Sequence, residues 1–137
     1  MADTVEFELV SPERLLLSVP VEMVVVPGAE GDFGVLPGHA PMISTLRPGV
    51  IAIYRDKAVE RRVFVAGGVA EVQPERCTVL AEEAVPLEEA DEAEADRRIA
   101  RAREALERAD DQGAAAEARK RLAAAEALRA AIAGARG

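Results

Sequence analysis

Hydrophobic and polar positions follow two different rhythms along this chain. Near the start, Val5, Phe7 and Leu9 alternate with Glu6 and Glu8, the pattern of a strand with one wet face. The segment Val21–Val26, apolar except for Glu22, ends at Pro27-Gly28, a turn signal. Residues 49–55 and 59–65 flank Asp56-Lys57 as the arms of a hairpin. Val69–Gln73 and Thr78–Leu80 flank a second turn, Pro74-Glu75-Arg76. About eight short strands at this spacing predict an antiparallel β-sandwich or barrel over residues 1–86. Beyond it the period becomes helical. Ala95, Ile99, Ala102, Leu106 and Ala109 form one stripe, and Ala118, Leu122, Ala125, Leu128 and Ile132 form another. A break at Asp110-Asp111-Gln112-Gly113 predicts an antiparallel helical hairpin over residues 87–137.

Composition sharpens the boundary. All eight prolines, all four aromatics and seven of ten glycines lie at or before Pro86. The 51 residues after it hold 19 alanines and neither proline nor aromatic. A seam of alanines lets helices approach closely but buries little area, at about 25 cal/mol per Å2, so the hairpin is expected to be detachable. Glu94 with Arg98, Glu104 with Arg108 and Glu117 with Arg121 stand four residues apart, each pair adding roughly 0.2–0.5 kcal/mol.

The chemistry is mostly one of exclusion. A net charge of −8 argues against a nucleic-acid surface. One cysteine, Cys77, and one histidine, His39, allow neither a disulfide framework nor a usual zinc site. Cys77 opens a strand and reads as a small buried apolar residue. A lone imidazole encodes no nucleophile–base pair, so no enzyme is expected. No apolar run approaches the ~20 residues that span a bilayer, and residues 1–6 lack a secretion signal. The chain is therefore expected in the cytoplasm, with membrane association only through partners.

Gly28-Ala29-Glu30-Gly31-Asp32-Phe33-Gly34 superficially suggests a phosphate cradle, yet no Gly-Lys-Ser/Thr follows it and its two carboxylates repel phosphate. It reads instead as a turn-rich connection presenting carboxylates. Loops on a rigid sandwich commonly carry binding, and a purely structural connection is the alternative.

These residues carry a resemblance. Glu30-Gly31-Asp32-Phe33-Gly34, Pro37-Gly38-His39-Ala40-Pro41, Leu46-Arg47-Pro48-Gly49 and Gly67-Gly68-Val69-Ala70-Glu71-Val72-Gln73-Pro74 closely resemble the epsilon subunit of bacterial F-type ATP synthases. The order of motifs, the length and the alanine-rich end agree over essentially the whole chain. The resemblance implies a ten-stranded sandwich that grips the gamma subunit and stands on the c-ring. Such a subunit turns with both as part of the central stalk, peripheral to the cytoplasmic face of the inner membrane. It implies that Glu30, Asp32 and His39 lie near the polar loops of the c-ring. For His39, packing within its loop through a bond to backbone is the competing reading. The family's hairpin can lie folded or rise into the catalytic alpha/beta head and block hydrolysis. Arg119, Lys120, Arg121 and Arg129 would then meet acidic groups there, or else form a solvated face.

ATP-sensing members carry Ile/Leu-Asp-x-x-Arg-Ala at the first helix, aligned here with Ala90-Asp91-Glu92-Ala93-Glu94-Ala95. Glu94 stands in place of the arginine, and a carboxylate there repels a nucleotide, so no ATP cofactor is expected. That glutamate also weighs against the rival reading, a nucleotide-binding sensor without a rotor role. A free-standing adaptor is the remaining alternative, separable by co-purification.

Overall fold

The computed structural model describes residues 3–136, which divide into two compact units meeting between Pro86 and Leu87. The first holds ten strands: β1 (Val5–Val10), β2 (Leu15–Val21), β3 (Met23–Gly28), β4 (Gly31–Val35), β5 (Met42–Leu46), β6 (Gly49–Arg55), β7 (Ala58–Val65), β8 (Gly68–Val72), β9 (Arg76–Ala81) and β10 (Ala84–Pro86). They form one curled sheet in the order β10-β7-β6-β3-β5-β8-β9-β1-β2, with β4 on β3. Pairing is antiparallel except for β1 with β9, which run parallel. The sheet curls around a single cluster running from Val5, Phe7 and Leu9 to Cys77, Val79 and Ala81. The alternation seen in the sequence is thus one buried face and one wet face. Cys77 is fully buried in this cluster, and burial pushes its thiol up to about 11, leaving it unreactive at neutral pH.

Both hairpin tips form, the first where the sequence places it and the second one residue earlier, since β8 ends at Val72 and Arg76 already belongs to β9. Asp56 and Lys57 take φ 53° and 65°, the left-handed pair that lets a two-residue turn follow the twist of β6 and β7. The Glu22 carboxylate accepts from the backbone N–H of both, at 2.8 and 3.1 Å. Those bonds, Lys57's first, hold Glu22 below the usual carboxylate range. One expectation is corrected. Residues 28–34 are not only a connection: Gly31–Val35 is a strand paired with β3 along its whole length, from Val24↔Val35 to Gly28↔Gly31. Its glycines mimic turn formers in the sequence, but cross-strand bonding to β3 organises them.

The second unit opens with a 3-10 turn, Leu87–Glu89, followed by α1 (Glu92–Arg108) and α2 (Gln112–Arg136). Asp91 caps α1 by accepting from the Ala93 N–H at 3.0 Å, and Asp111 caps α2 through the Ala114 N–H at 2.7 Å. The link is therefore Ala109–Asp111, and Gly113 falls inside the first turn of α2. An aspartate cap does here what the glycine was expected to do. Ala95 and Ala102 of α1 and Ala118, Ala125, Leu128 and Ile132 of α2 are buried, while Ile99, Leu106, Ala109 and Leu122 are half-buried. The three same-helix ion pairs form at 3.5, 2.7 and 3.4 Å. No helix among the described residues is long and apolar enough to cross a membrane.

Candidate functional site

The β3–β4 hairpin turns through Ala29-Glu30, and Gly31, with φ 141°, completes the reversal. Its tip packs closely at the base. A Cβ on Gly28 would stand 2.7 Å from the Gly31 carbonyl, and one on Gly49 2.8 Å from Pro27 Cβ. Beside this tip lies an open cleft of about 410 Å3, lined among others by Glu30, Phe33, His39, Met42, Ile43 and Thr45. Thus Glu30 and His39, nine residues apart, border one space. Asp32 does not join them. Strand alternation turns it to the face of β4 opposite Phe33, where it pairs with Arg47 at 2.6 Å.

His39 closes a turn in which its N–H donates to the Leu36 carbonyl at 3.1 Å, with Pro37 second and Gly38, φ 88°, third. That is the residue order a type II turn requires. The Gly38 N–H reaches the Pro74 carbonyl at 2.7 Å, tying this loop to the β8–β9 turn. His39 Nδ1 lies 2.8 Å from the Ala40 carbonyl. An oxygen acceptor requires the proton on Nδ1, which leaves Nε2 as the ring's acceptor in the neutral form. The loop-packing bond therefore exists, and the ring still borders the cleft.

The wet face of the sheet carries a second feature. Register places Thr45 opposite Val69, Val69 opposite Leu80, Leu80 opposite Val10 and Val10 opposite Leu15. Val69, Leu80 and Leu15 are 39%, 52% and 55% exposed, and Ile43, one step away, is 73% exposed. Cross-strand neighbours stand about 5 Å apart, so these side chains form a continuous apolar band. The neighbouring row is polar: Glu8 accepts from Arg76 at 3.0 Å and from Thr78 at 3.4 Å. An apolar band with a polar border is the composition of a protein–protein contact.

On the hairpin, the four basic candidates do not converge. Arg121 pairs with Glu117, and Arg119 and Lys120 are exposed. Arg129 lies ten residues from Arg119, about 15 Å along the axis. Its guanidinium bridges to α1 at Glu92 (2.7 Å) and Asp96 (3.1 Å), with Arg103–Glu126 at 3.7 Å a second cross-helix pair. Glu94 accepts from Arg97 at 3.0 Å and from Arg101 at 3.1 Å, and those bonds, Arg97's first, hold it below the usual carboxylate range. Among the described residues no group of acidic, histidine or cysteine side chains could hold a metal ion.

Comparison with known proteins decides the family. The ATP synthase, Delta/Epsilon chain, beta-sandwich domain matches residues 4–87. The ATP synthase epsilon chain of Rhodospirillum rubrum is 57% identical over 131 residues, 96% of this chain and 98% of that one. The chain belongs to the ATP synthase epsilon-chain family. It is a non-catalytic subunit of the rotor stalk of a proton-transporting ATP synthase. A chain in the Euglena gracilis mitochondrial ATP synthase assembly of OSCP, F1 and c-ring superposes with TM-score 0.81 at 25% identity, covering 96% of this chain and 83% of that one. One from the Tetrahymena thermophila mitochondrial ATP synthase central stalk and c-ring shares the fold at TM-score 0.68 and 17% identity, over 93% and 96% of the two chains.

For this epsilon chain, sequence reasoning found the tip but not the band. The signal was available in part: Val10, Val69 and Leu80 occupy positions where strict alternation calls for polar residues. Only the register shows that they adjoin.

Proposed function

We propose that this chain couples the gamma subunit to the c-ring, on the cytoplasmic face of the inner membrane, with the sandwich as the coupling part. The observation that carries this reading is the apolar band Val69–Leu80–Val10–Leu15, a wet-face surface that favours burial against a partner. Gamma is the partner assigned to it. The cleft with Glu30 and His39 faces the polar loops of the c-ring, where an exposed carboxylate and an imidazole suit basic and hydroxyl groups. The hairpin acts on the alpha/beta head and restrains hydrolysis.

Leu80→Glu is the direct test. Leu80 is half exposed, so the folding cost stays within about 0.5 kcal/mol. A charge forced into the centre of an apolar contact costs roughly 2–3 kcal/mol of binding, or 30- to 150-fold. Affinity isolation from native membranes through a tagged chain should recover gamma with the wild type and lose it with Leu80→Glu. Equal recovery of gamma overturns the assignment of the band.

Nucleotide sensing is not part of the proposed role. Glu94 stands where ATP-sensing members of the family carry arginine, and its carboxylate is held ionised among Arg97, Arg98 and Arg101. We expect ATP to bind the isolated chain no more tightly than millimolar, about 4 kcal/mol. A calorimetric titration giving micromolar affinity refutes this.

A further inference from the structure

Arg47 follows β5 and makes three bonds to the two arms of the β3–β4 hairpin. Its backbone N–H donates to the Pro27 carbonyl at 3.0 Å. One guanidinium nitrogen, Nη1, donates to the Gly28 carbonyl at 2.5 Å, and Nη2 meets the Asp32 carboxylate at 2.6 Å. Pro27 and Asp32 are cross-strand partners, as are Gly28 and Gly31, so one side chain staples both arms below the Ala29-Glu30 tip. Little else joins that tip to β5: the pair Gly28↔Leu46 and the Ala29 N–H to the Thr45 carbonyl at 2.8 Å. A planar fork suits this task, because donors on two nitrogens in fixed geometry meet a carbonyl and a carboxylate together, whereas an ammonium's donors rotate on a single nitrogen.

We propose that Arg47 is a positioning residue: it holds the hairpin tip so that Glu30 is presented at the cleft, and it occupies Asp32, which makes no partner contact of its own. This rests on the reading of the cleft as the face turned to the c-ring. The ion pair is exposed on both sides (44% and 58%), so its contribution to folding is small and its role is one of geometry. An untethered tip would still carry Glu30 but spread it over many orientations, and ordering it again on contact weakens binding.

The test uses the full chain, added back to synthase membranes depleted of it, with binding followed at low and high salt. The variants are Glu30→Gln, Arg47→Ala, Asp32→Asn, the combination of Arg47→Ala with Glu30→Gln, and the reversed pair Arg47→Asp with Asp32→Arg. Glu30→Gln should weaken association about tenfold at low salt. Arg47→Ala should do nearly the same, and the double variant should be scarcely worse than either single one, because both remove the same presented charge. Asp32→Asn should fall short of Arg47→Ala, since the bond to Gly28 remains, and the reversed pair should recover part of the loss. Amide exchange at Ala29 and Glu30 should rise in Arg47→Ala with the thermal midpoint nearly unchanged. If the losses of Arg47→Ala and Glu30→Gln multiply, Arg47 is an independent contact and the proposal fails. It fails also if Arg47→Ala binds normally while Glu30→Gln does not. If Glu30→Gln itself binds normally, the cleft reading fails, and the staple loses its proposed purpose with it.

Discussion

Gly68→Ala should unfold most of the sandwich at temperatures where the wild type is fully native. Gly68 opens β8 with φ 143°, a backbone conformation that side-chain-bearing residues rarely adopt. An added Cβ would collide with the Leu80 carbonyl oxygen and stand 3.0 Å from Ala81 Cα, so the obstacle is backbone and cannot rotate away. The residue is paired to Leu46 on one side and Ala81 on the other, both in the core cluster. Relieving the clash means parting β8 from β9 in the middle of the sheet. Strain at such a φ costs about 1–3 kcal/mol by itself, and the collision adds to it. A total near 4 kcal/mol or above lowers the midpoint of a domain this size by roughly 15–30 °C. Gly31→Ala is the control, since Gly31 has nearly the same φ (141°) with nothing within 4 Å of its added Cβ. Thermal melts followed by circular dichroism should show a modest drop for Gly31→Ala and a drop several times larger for Gly68→Ala. Equal drops would mean that the dihedral, not the close approach of β9, governs the position.

What the sequence disclosed and withheld divides along physical lines. Local alternation with a turn signal was enough for β6–β7 and for the β8–β9 turn, where the Gln73 N–H meets the Arg76 carbonyl at 2.7 Å. Helical period was enough for both hairpin stripes. Nothing in Leu15–Val21 announces a strand: it begins with three leucines in succession and contains Pro20. β2 tolerates that proline because it is the edge strand of the sheet, paired among the described residues with β1 alone. β4 was masked by Gly31 and Gly34, residues that weaken strands unless cross-strand pairing organises them.

The site was less legible than the fold, for one reason. Its defining contacts join residues far apart in the chain. Arg47 reaches back 15 and 19 residues, Arg129 33 and 37, and the apolar band needs the register of five strands. The family resemblance named Glu30 and His39, and the structure sets both beside one cleft. It also named Asp32 and Arg129, whose charges are spent within the chain. No composition or spacing argument distinguishes a carboxylate that faces outward from one already paired.

Deleting residues 88–137 should leave a folded sandwich that still supports coupled synthesis, while ATP hydrolysis rises several-fold. Among the described residues the core cluster runs from Val5 to Ala81 with Ala84 packed against it, and the last strand, Ala84–Pro86, precedes the cut. The apolar band and the Glu30 cleft lie wholly within the retained part. Attachment by those surfaces should therefore survive. The hairpin, in turn, gathers its own stability from an alanine seam and from cross-helix pairs centred on Arg129. Arg129 spends its charge on Glu92 and Asp96, so of the four basic candidates it is the one tied to the facing helix while the hairpin is folded. Reconstituted enzyme carrying the truncated chain, assayed side by side for proton pumping and hydrolysis, tests this division. Level hydrolysis would assign the restraint to another subunit. Lost pumping with a sandwich that remains folded by circular dichroism would show that coupling itself depends on the hairpin, and the assignment of attachment to the sandwich alone would fall.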